Sequence, residues 1–248
     1  IKGGGGKMSS SQGKVVDLPT LLRVYTPEIV RFMFAGTRPN TEFTISFDLD
    51  VIKIYEDYDR TERIAWKVES AKDETAYKKA RRIYELSQVS DVPAVMPYHA
   101  PFRHLCSLLQ IADGNIDAVI AGFDDIKPEQ ESALRARCVC AMNWRNDYAP
   151  EEFCFKLRGA GERAELGDTE AAAVRELRDG VITGIEKFED DKACAQAIYD
   201  TAARCGIEGK ALFRAAYLAL IGKEQGPRLA PFLRGIGKER LLAILSEY

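Results

Sequence analysis

From residue 26 onward, apolar residues recur at helical rather than strand spacing. Thr26 is a good helix cap, Pro27 fits the first helical position and Gly36 stops the helix between them. Thr41 to Phe47 alternates polar and apolar residues, the period of a short extended segment. Asp48 then caps a long helix to about Val68, with Leu49, Ile52, Ile54, Tyr55, Ile64 and Trp66 as its partly buried stripe. A highly charged helix comes next, over roughly 73–88. Residues 92–101 contain Pro93, Pro97 and Pro101 and read as a linker or domain boundary. Pro101 starts a helix carrying Phe102, Leu105, Leu108 and Leu109, Asn115 caps a short one, and Pro128 opens a long one to about Tyr148. Residues 150–167 read as an irregular connection. The remaining helices fall near 168–180, 189–205, 208–222, 228–234 and 237–247, with Gly206, Gly222 and Gly235 at C-terminal caps. No strand–helix–strand alternation appears. The predicted class is therefore mainly α, and a Rossmann-type nucleotide-binding domain is absent from this chain.

A chain of 248 residues suffices for one large domain or two small ones. No apolar run is long enough to span a membrane, and no signal peptide opens the chain. It begins without methionine and in mid-motif, which predicts a piece of something longer. Six cysteines, Cys106, Cys138, Cys140, Cys154, Cys194 and Cys205, form no CxxC pair, and there are only two histidines. That pattern predicts reduced thiols in a cytoplasmic protein and no zinc site in this region.

The net charge of −3 does not by itself suggest a nucleic-acid partner. Its distribution does more. Residues 147–191 hold six basic and thirteen acidic residues, a balance of −7, whereas 204–240 hold eight basic and three acidic, a balance of +5. Two ordinary solvated helix surfaces also account for this pattern.

The N-terminus carries the most chemistry. Four glycines, Gly3 to Gly6, lead into Lys7-Met8-Ser9-Ser10-Ser11. Glycine lets the backbone approach a ligand closely. Serine hydroxyls and free N–H groups hydrogen-bond phosphate oxygens, and the lysine adds a mobile positive charge. A flexible Gly/Ser-rich terminus is the competing reading.

The residues beyond the loop favour the first reading. Val15-Val16-Asp17-Leu18, the stretch from Thr26 to Ala35, Arg38-Pro39-Asn40-Thr41-Glu42-Phe43 and Ile45 to Asp50 resemble class I lysyl-tRNA synthetases just after their second ATP signature. That signature reads KMSSS there, a variant of the KMSKS motif. The run from Leu220 to Arg228 is similar to C-terminal helices shared with glutamyl-tRNA synthetases. The resemblance is dense over 3–66 and returns over 217–242.

The resemblance implies three regions: 1–47, the KMSSS loop and the end of the catalytic region; 48–92, a helical connecting region that contacts the tRNA stem; and 93–248, an anticodon-binding domain of the alpha-helix-cage type. It implies that Lys7, Met8, Ser9, Ser10 and Ser11 meet ATP, with Lys7 catalytic and magnesium accompanying the nucleotide. Ser10 replaces the second lysine of the usual motif, so Lys7 carries the loop's charge. The HIGH partner motif is absent: His99 and His104 have the wrong context and read as surface or capping groups. ATP and lysine would therefore be handled with a catalytic domain outside this chain, and the chain alone would be inactive. Neither a membrane nor DNA is an implied partner.

For tRNA(Lys), the resemblance points to Lys53, Arg60 and Arg63 on the long helix. Pairing with Glu56, Asp57, Asp59 and Glu62 is the alternative. At the basic end it points to Arg214, Lys223, Arg228 and Arg234, with Lys238 and Arg240 nearby. Phe213, Tyr217 and Phe232 would stack on unpaired bases, although their spacing fits buried helix faces equally. A glutamyl-type synthetase fragment and a stand-alone helical RNA-binding module remain the alternatives.

Overall fold

A computed structural model of the chain describes residues 2–3, 6–7, 16–38, 41, 44–123 and 126–248. By packing, the chain forms two compact units, Ile1–Pro150 and Glu151–Tyr248. The elements are mainly helical, as the spacing of apolar residues predicts.

In the first unit, three two-residue strands, β1 (Lys2–Gly3), β2 (Gly6–Lys7) and β3 (Thr44–Ile45), pair in the order β2-β1-β3. A helix that the sequence reading omits, α1 (Leu18–Val24), precedes α2 (Pro27–Ala35). Asp17 caps it by accepting the Thr20 N–H at 2.9 Å. At seven residues with only Leu21 and Val24 buried, α1 is too short to show a periodic stripe. Next come α3 (Asp50–Ala65) and α4 (Glu74–Ser87), which pack closely on each other. Asp73 caps α4 through the Ala76 N–H at 2.8 Å. The unit closes with α5 (Phe102–Ile111), α6 (Ile116–Ala121) and α7 (Pro128–Asp147).

A column of aromatic rings organises this core. Tyr25 and Tyr55 lie 6.0 Å apart, Tyr55 stacks on Phe102 at 3.9 Å, and Phe102 meets Trp144 at 5.9 Å. All four are buried, and each polar end finds a carbonyl except at Phe102, which has none. Tyr55 Oη donates to Val24 O at 2.8 Å, Tyr25 Oη to Ser46 O at 2.5 Å, and Trp144 Nε1 to Phe47 O at 2.9 Å. The column thereby fixes residues 46–47, which join β3 to α3.

The proline-rich segment before α5 lies inside this unit. Helix α5 packs on α3 and α7, and α7 packs on α1. The division by packing falls after Pro150.

The second unit contains α8 (Asp168–Gly180), a 3-10 segment (Ile182–Lys187), α9 (Asp191–Arg204), α10 (Gly209–Ile221), α11 (Leu229–Ile236) and α12 (Lys238–Ile244). Its core is built from side chains such as Val174, Leu177, Ile182, Leu212, Leu220, Phe232, Leu233 and Leu241. Gly222 ends α10 at φ +68°, as expected of a C-cap glycine. A Cβ there would lie 3.1 Å from Arg158 Nη2. Arg158 crosses this helix end, donating from Nε to Leu218 O at 3.1 Å and from its backbone to Leu220 O at 2.8 Å. Gly235 does not end a helix. Helix α11 continues through it to Ile236, and the positive φ, +84°, falls at Gly237.

Candidate functional site

Lys7 sits at the base of the glycine–serine loop, in β2. Its backbone is opposite Lys2 of β1, and Lys2 is in turn opposite Thr44 of β3 in parallel register. Immediately after β3, the buried Ser46 donates its hydroxyl to the Asp48 carboxylate, which also accepts the Asp50 N–H at 3.0 Å. The Ser46 hydroxyl, and then the Asp50 N–H, hold the Asp48 carboxyl below the usual carboxylate range. A continuous backbone and hydrogen-bond connection thus runs from Lys7 to the first turn of α3. Met8, Ser9, Ser10 and Ser11 lie outside the described residues.

The sequence-nominated cations of α3 are differently placed. Lys53 is exposed and makes no ion pair among the described residues. Arg60 Nε and Arg63 Nη2 both meet Glu69, at 2.8 and 2.9 Å. These two hydrogen bonds, Arg60's first, lower the Glu69 carboxyl pKa. Glu69 lies beyond the helix end, so helical spacing does not reveal it. Two of the acids expected beside these arginines are engaged elsewhere. Asp59 takes a bidentate bond from the buried Arg137, at 2.9 and 2.6 Å, and Glu62 pairs with His99 at 3.0 Å. His99 is therefore largely buried against Glu62 rather than the expected surface or capping group, because the proline segment folds back onto α3.

At the end of α3, Lys67 has φ +58°, in the left-handed region that favours glycine. Its ammonium lies 5.0 Å from the centroid of the Tyr77 ring. A cleft of about 410 Å³ opens beside it, lined by Lys67, Glu69, Ser70, Asp73 and Tyr77 among others.

In the second unit, Arg214 bridges Glu170 and Glu224, both at 2.8 Å, and Arg234 meets Asp191 at 2.6 Å. Lys223 Nζ donates to Glu151 O at 2.7 Å. Arg228 is exposed at the start of α11, with no ion pair among the described residues. Of the nominated aromatics, Tyr217 is buried and donates its hydroxyl to Pro227 O. Phe232 is buried edge-on to Phe155 at 5.3 Å. Phe213 is half-buried, and its ring lies 5.2 Å from that of Tyr199. The sequence reading overlooks Tyr199, which is 51% exposed. It stands off the buried stripe of α9 formed by Cys194, Ile198, Thr201 and Ala202, a signal present in the spacing.

Comparison with known proteins adds what the chain is similar to. Residues 1–90 match the family model described as tRNA synthetases class I (K). The whole chain is 48% identical to the lysine–tRNA ligase of Treponema pallidum and 44% identical to that of Borreliella burgdorferi, spanning 47% of each relative. Against the lysine–tRNA ligase of Thermococcus kodakarensis, 96% of the chain aligns at 35% identity and spans 46% of that protein. Over its first 90 residues the chain is similar to class I tRNA synthetases. Along its length it aligns with a portion of these lysine–tRNA ligases, and it spans about half the length of the curated relatives it matches.

Proposed function

We propose that the chain is the part of a lysine–tRNA ligase that carries the second ATP signature and holds tRNA(Lys). The observation that carries this reading is the alignment of the entire chain with lysine–tRNA ligases, with KMSSS at residues 7–11. The full enzyme would activate lysine with ATP in the cytoplasm and transfer it to tRNA(Lys).

In the activation step the lysine carboxylate attacks the α-phosphorus of ATP and pyrophosphate leaves. Charge accumulates on phosphate oxygens as the new P–O bond forms. Lys7 would stabilise that charge as the loop closes, with Ser9, Ser10 and Ser11 adding hydrogen bonds and Met8 also meeting ATP. The β2-β1-β3 ribbon would anchor the stationary end of this movement. Magnesium would arrive with the ATP phosphates. Among the described residues no group of three His, Cys, Asp or Glu side chains is placed to hold it, and no step is assigned to it.

Residues 1–47 would belong to the catalytic region, 48–92 would support the tRNA, and 93–248 would reach the anticodon. Lys53 and Arg228, exposed and without ion pairs among the described residues, are the nominated cations readiest to meet phosphates. Arg60, Arg63, Arg214 and Arg234 would first have to share or leave their carboxylates, and Lys223 its carbonyl.

Titration of the chain with a tRNA(Lys) transcript at several salt concentrations tests the reading. Binding should weaken with salt, and Arg228→Glu should weaken it further. Arg228→Ala should reduce the slope of log affinity against log salt by about 0.7–0.9. Salt-independent binding, or none, would contradict the reading.

A further inference from the structure

The second unit buries two of the three aromatics expected to meet RNA bases and leaves a different ring in solvent. Tyr199, on α9, is the exposed large apolar side chain among the described residues of this unit. Its position is fixed from two sides. Phe213 of α10 lies 5.2 Å away at an interplanar angle of 43°. On another side is Gly209, the first residue of α10. A Cβ built there would come within 2.8 Å of Tyr199 Cδ1 and Cε1. The ring therefore occupies space that any other residue at 209 would fill. An exposed tyrosine at an ordinary surface position has a mobile side chain; this one is seated against backbone and a second ring while half its surface remains open.

The surroundings suit a nucleobase. Lys210, next to Gly209, is exposed and makes no ion pair among the described residues. Gln196, one turn before Tyr199, presents an amide that bonds Asp200 Oδ1 at 2.9 Å. Asp200 and Glu208 leave the neighbourhood without a strong positive balance. Stacking, rather than phosphate attraction, is the interaction that such a surface offers. Every base has a π-face, and a rigid phenol ring can receive it without first being ordered.

We propose that Tyr199, backed by Phe213 and seated on Gly209, is the stacking platform for an unpaired base of the bound RNA. This rests on the proposed tRNA-binding reading and supplies the base contact that buried Tyr217 and Phe232 cannot. Tyr199 is exposed and lies outside the hydrophobic stripe of its helix, so substitution spares the core.

The test compares Tyr199→Leu and Tyr199→Phe with the parent chain. Each is titrated with a tRNA(Lys) transcript and with a labelled single-stranded RNA decamer, at two salt concentrations. Tyr199→Leu should weaken tRNA binding about fivefold or more, the low end for losing one aromatic–base stack. The loss should be the same at both salts, because no phosphate contact is removed. Tyr199→Phe should bind like the parent. Tyr199→Trp should show indole fluorescence quenching when RNA is added. If the parent binds tRNA(Lys) and Tyr199→Leu binds equally well, the platform is refuted while the tRNA reading stands. If the parent binds the decamer through Tyr199 but not tRNA(Lys), the platform stands and the tRNA reading falls. If the parent binds neither RNA, both are refuted.

Discussion

His99 Nε2 lies 3.0 Å from Oε2 of Glu62, a carboxylate only 1% exposed on α3. His99 itself is 16% exposed and reaches Glu62 from the proline-rich segment. The pair ties an irregular stretch of chain to the helix that also carries Tyr55 and Tyr58. Burial, and then the Glu62 carboxylate nearby, push the Tyr58 hydroxyl pKa well above its ordinary value.

His99→Ala should therefore be among the costlier substitutions in the first unit. It removes the imidazole that lies against a buried carboxyl group, and a buried polar group left unsatisfied costs about 1–3 kcal/mol. In the Glu62→Gln background the same change should cost less, since the carboxyl partner of the imidazole is already gone. Urea unfolding of the two single variants and the double variant measures this coupling. Additive losses would mean that the contact is incidental.

Asp48 gives a pH dependence of definite sign. Its folded pKa lies below the usual carboxylate value because Ser46 and the Asp50 N–H bond its ionised form. Its contribution is then fully present above about pH 4, the ordinary aspartate value, and is lost as pH falls through the lower folded value. Asp48→Asn should lower the urea midpoint at pH 7 and narrow the difference from the parent at pH 3. A gap that widens on acidification would contradict the assignment.

Lys67→Gly should stabilise the fold. Relief of the left-handed backbone is worth about 1 kcal/mol, against about 0.5 kcal/mol for an exposed cation over the Tyr77 ring. The expected net change is a small rise in the urea midpoint. A fall would show that the contact with Tyr77 outweighs the backbone strain.

Gly222→Ala should do the opposite in the second unit. Position 222 combines φ +68° with an Arg158 guanidinium 3.1 Å from any added Cβ. The expected loss is about 1–2 kcal/mol. Thermal melting of the variant, alone and with Arg158→Ala, would separate the backbone part from the clash.

Most helices are legible in the sequence because they carry local signals. Pro27, Asn115, Pro128 and Gly222 sit where caps and breakers belong, and the stripes between them have helical period. Relationships between distant residues leave no such trace. Nothing near Arg137 in sequence announces Asp59, 78 positions away, and Glu69 lies outside the helix whose arginines it binds. The proline segment signals broken helices, and in sequence a broken helix and a domain boundary look alike. Aromatics at Tyr217 and Phe232 obey the helix period equally well as core or as surface. Only their depth decides between these, and Tyr199 emerges as the exposed ring instead. The glycine–serine loop is the clearest functional signal, because its chemistry is contiguous in sequence.

Lysine-dependent ATP–pyrophosphate exchange, in the full-length enzyme that contains this chain, is the decisive experiment for the assignment of Lys7 and of the amino acid. Exchange should occur with lysine and not with glutamate. Lys7→Ala should slow it by roughly 10²–10³-fold, the range for removing one transition-state charge stabiliser, with little change in lysine binding. Exchange that Lys7→Ala leaves intact, or that requires glutamate instead of lysine, would overturn the assignment.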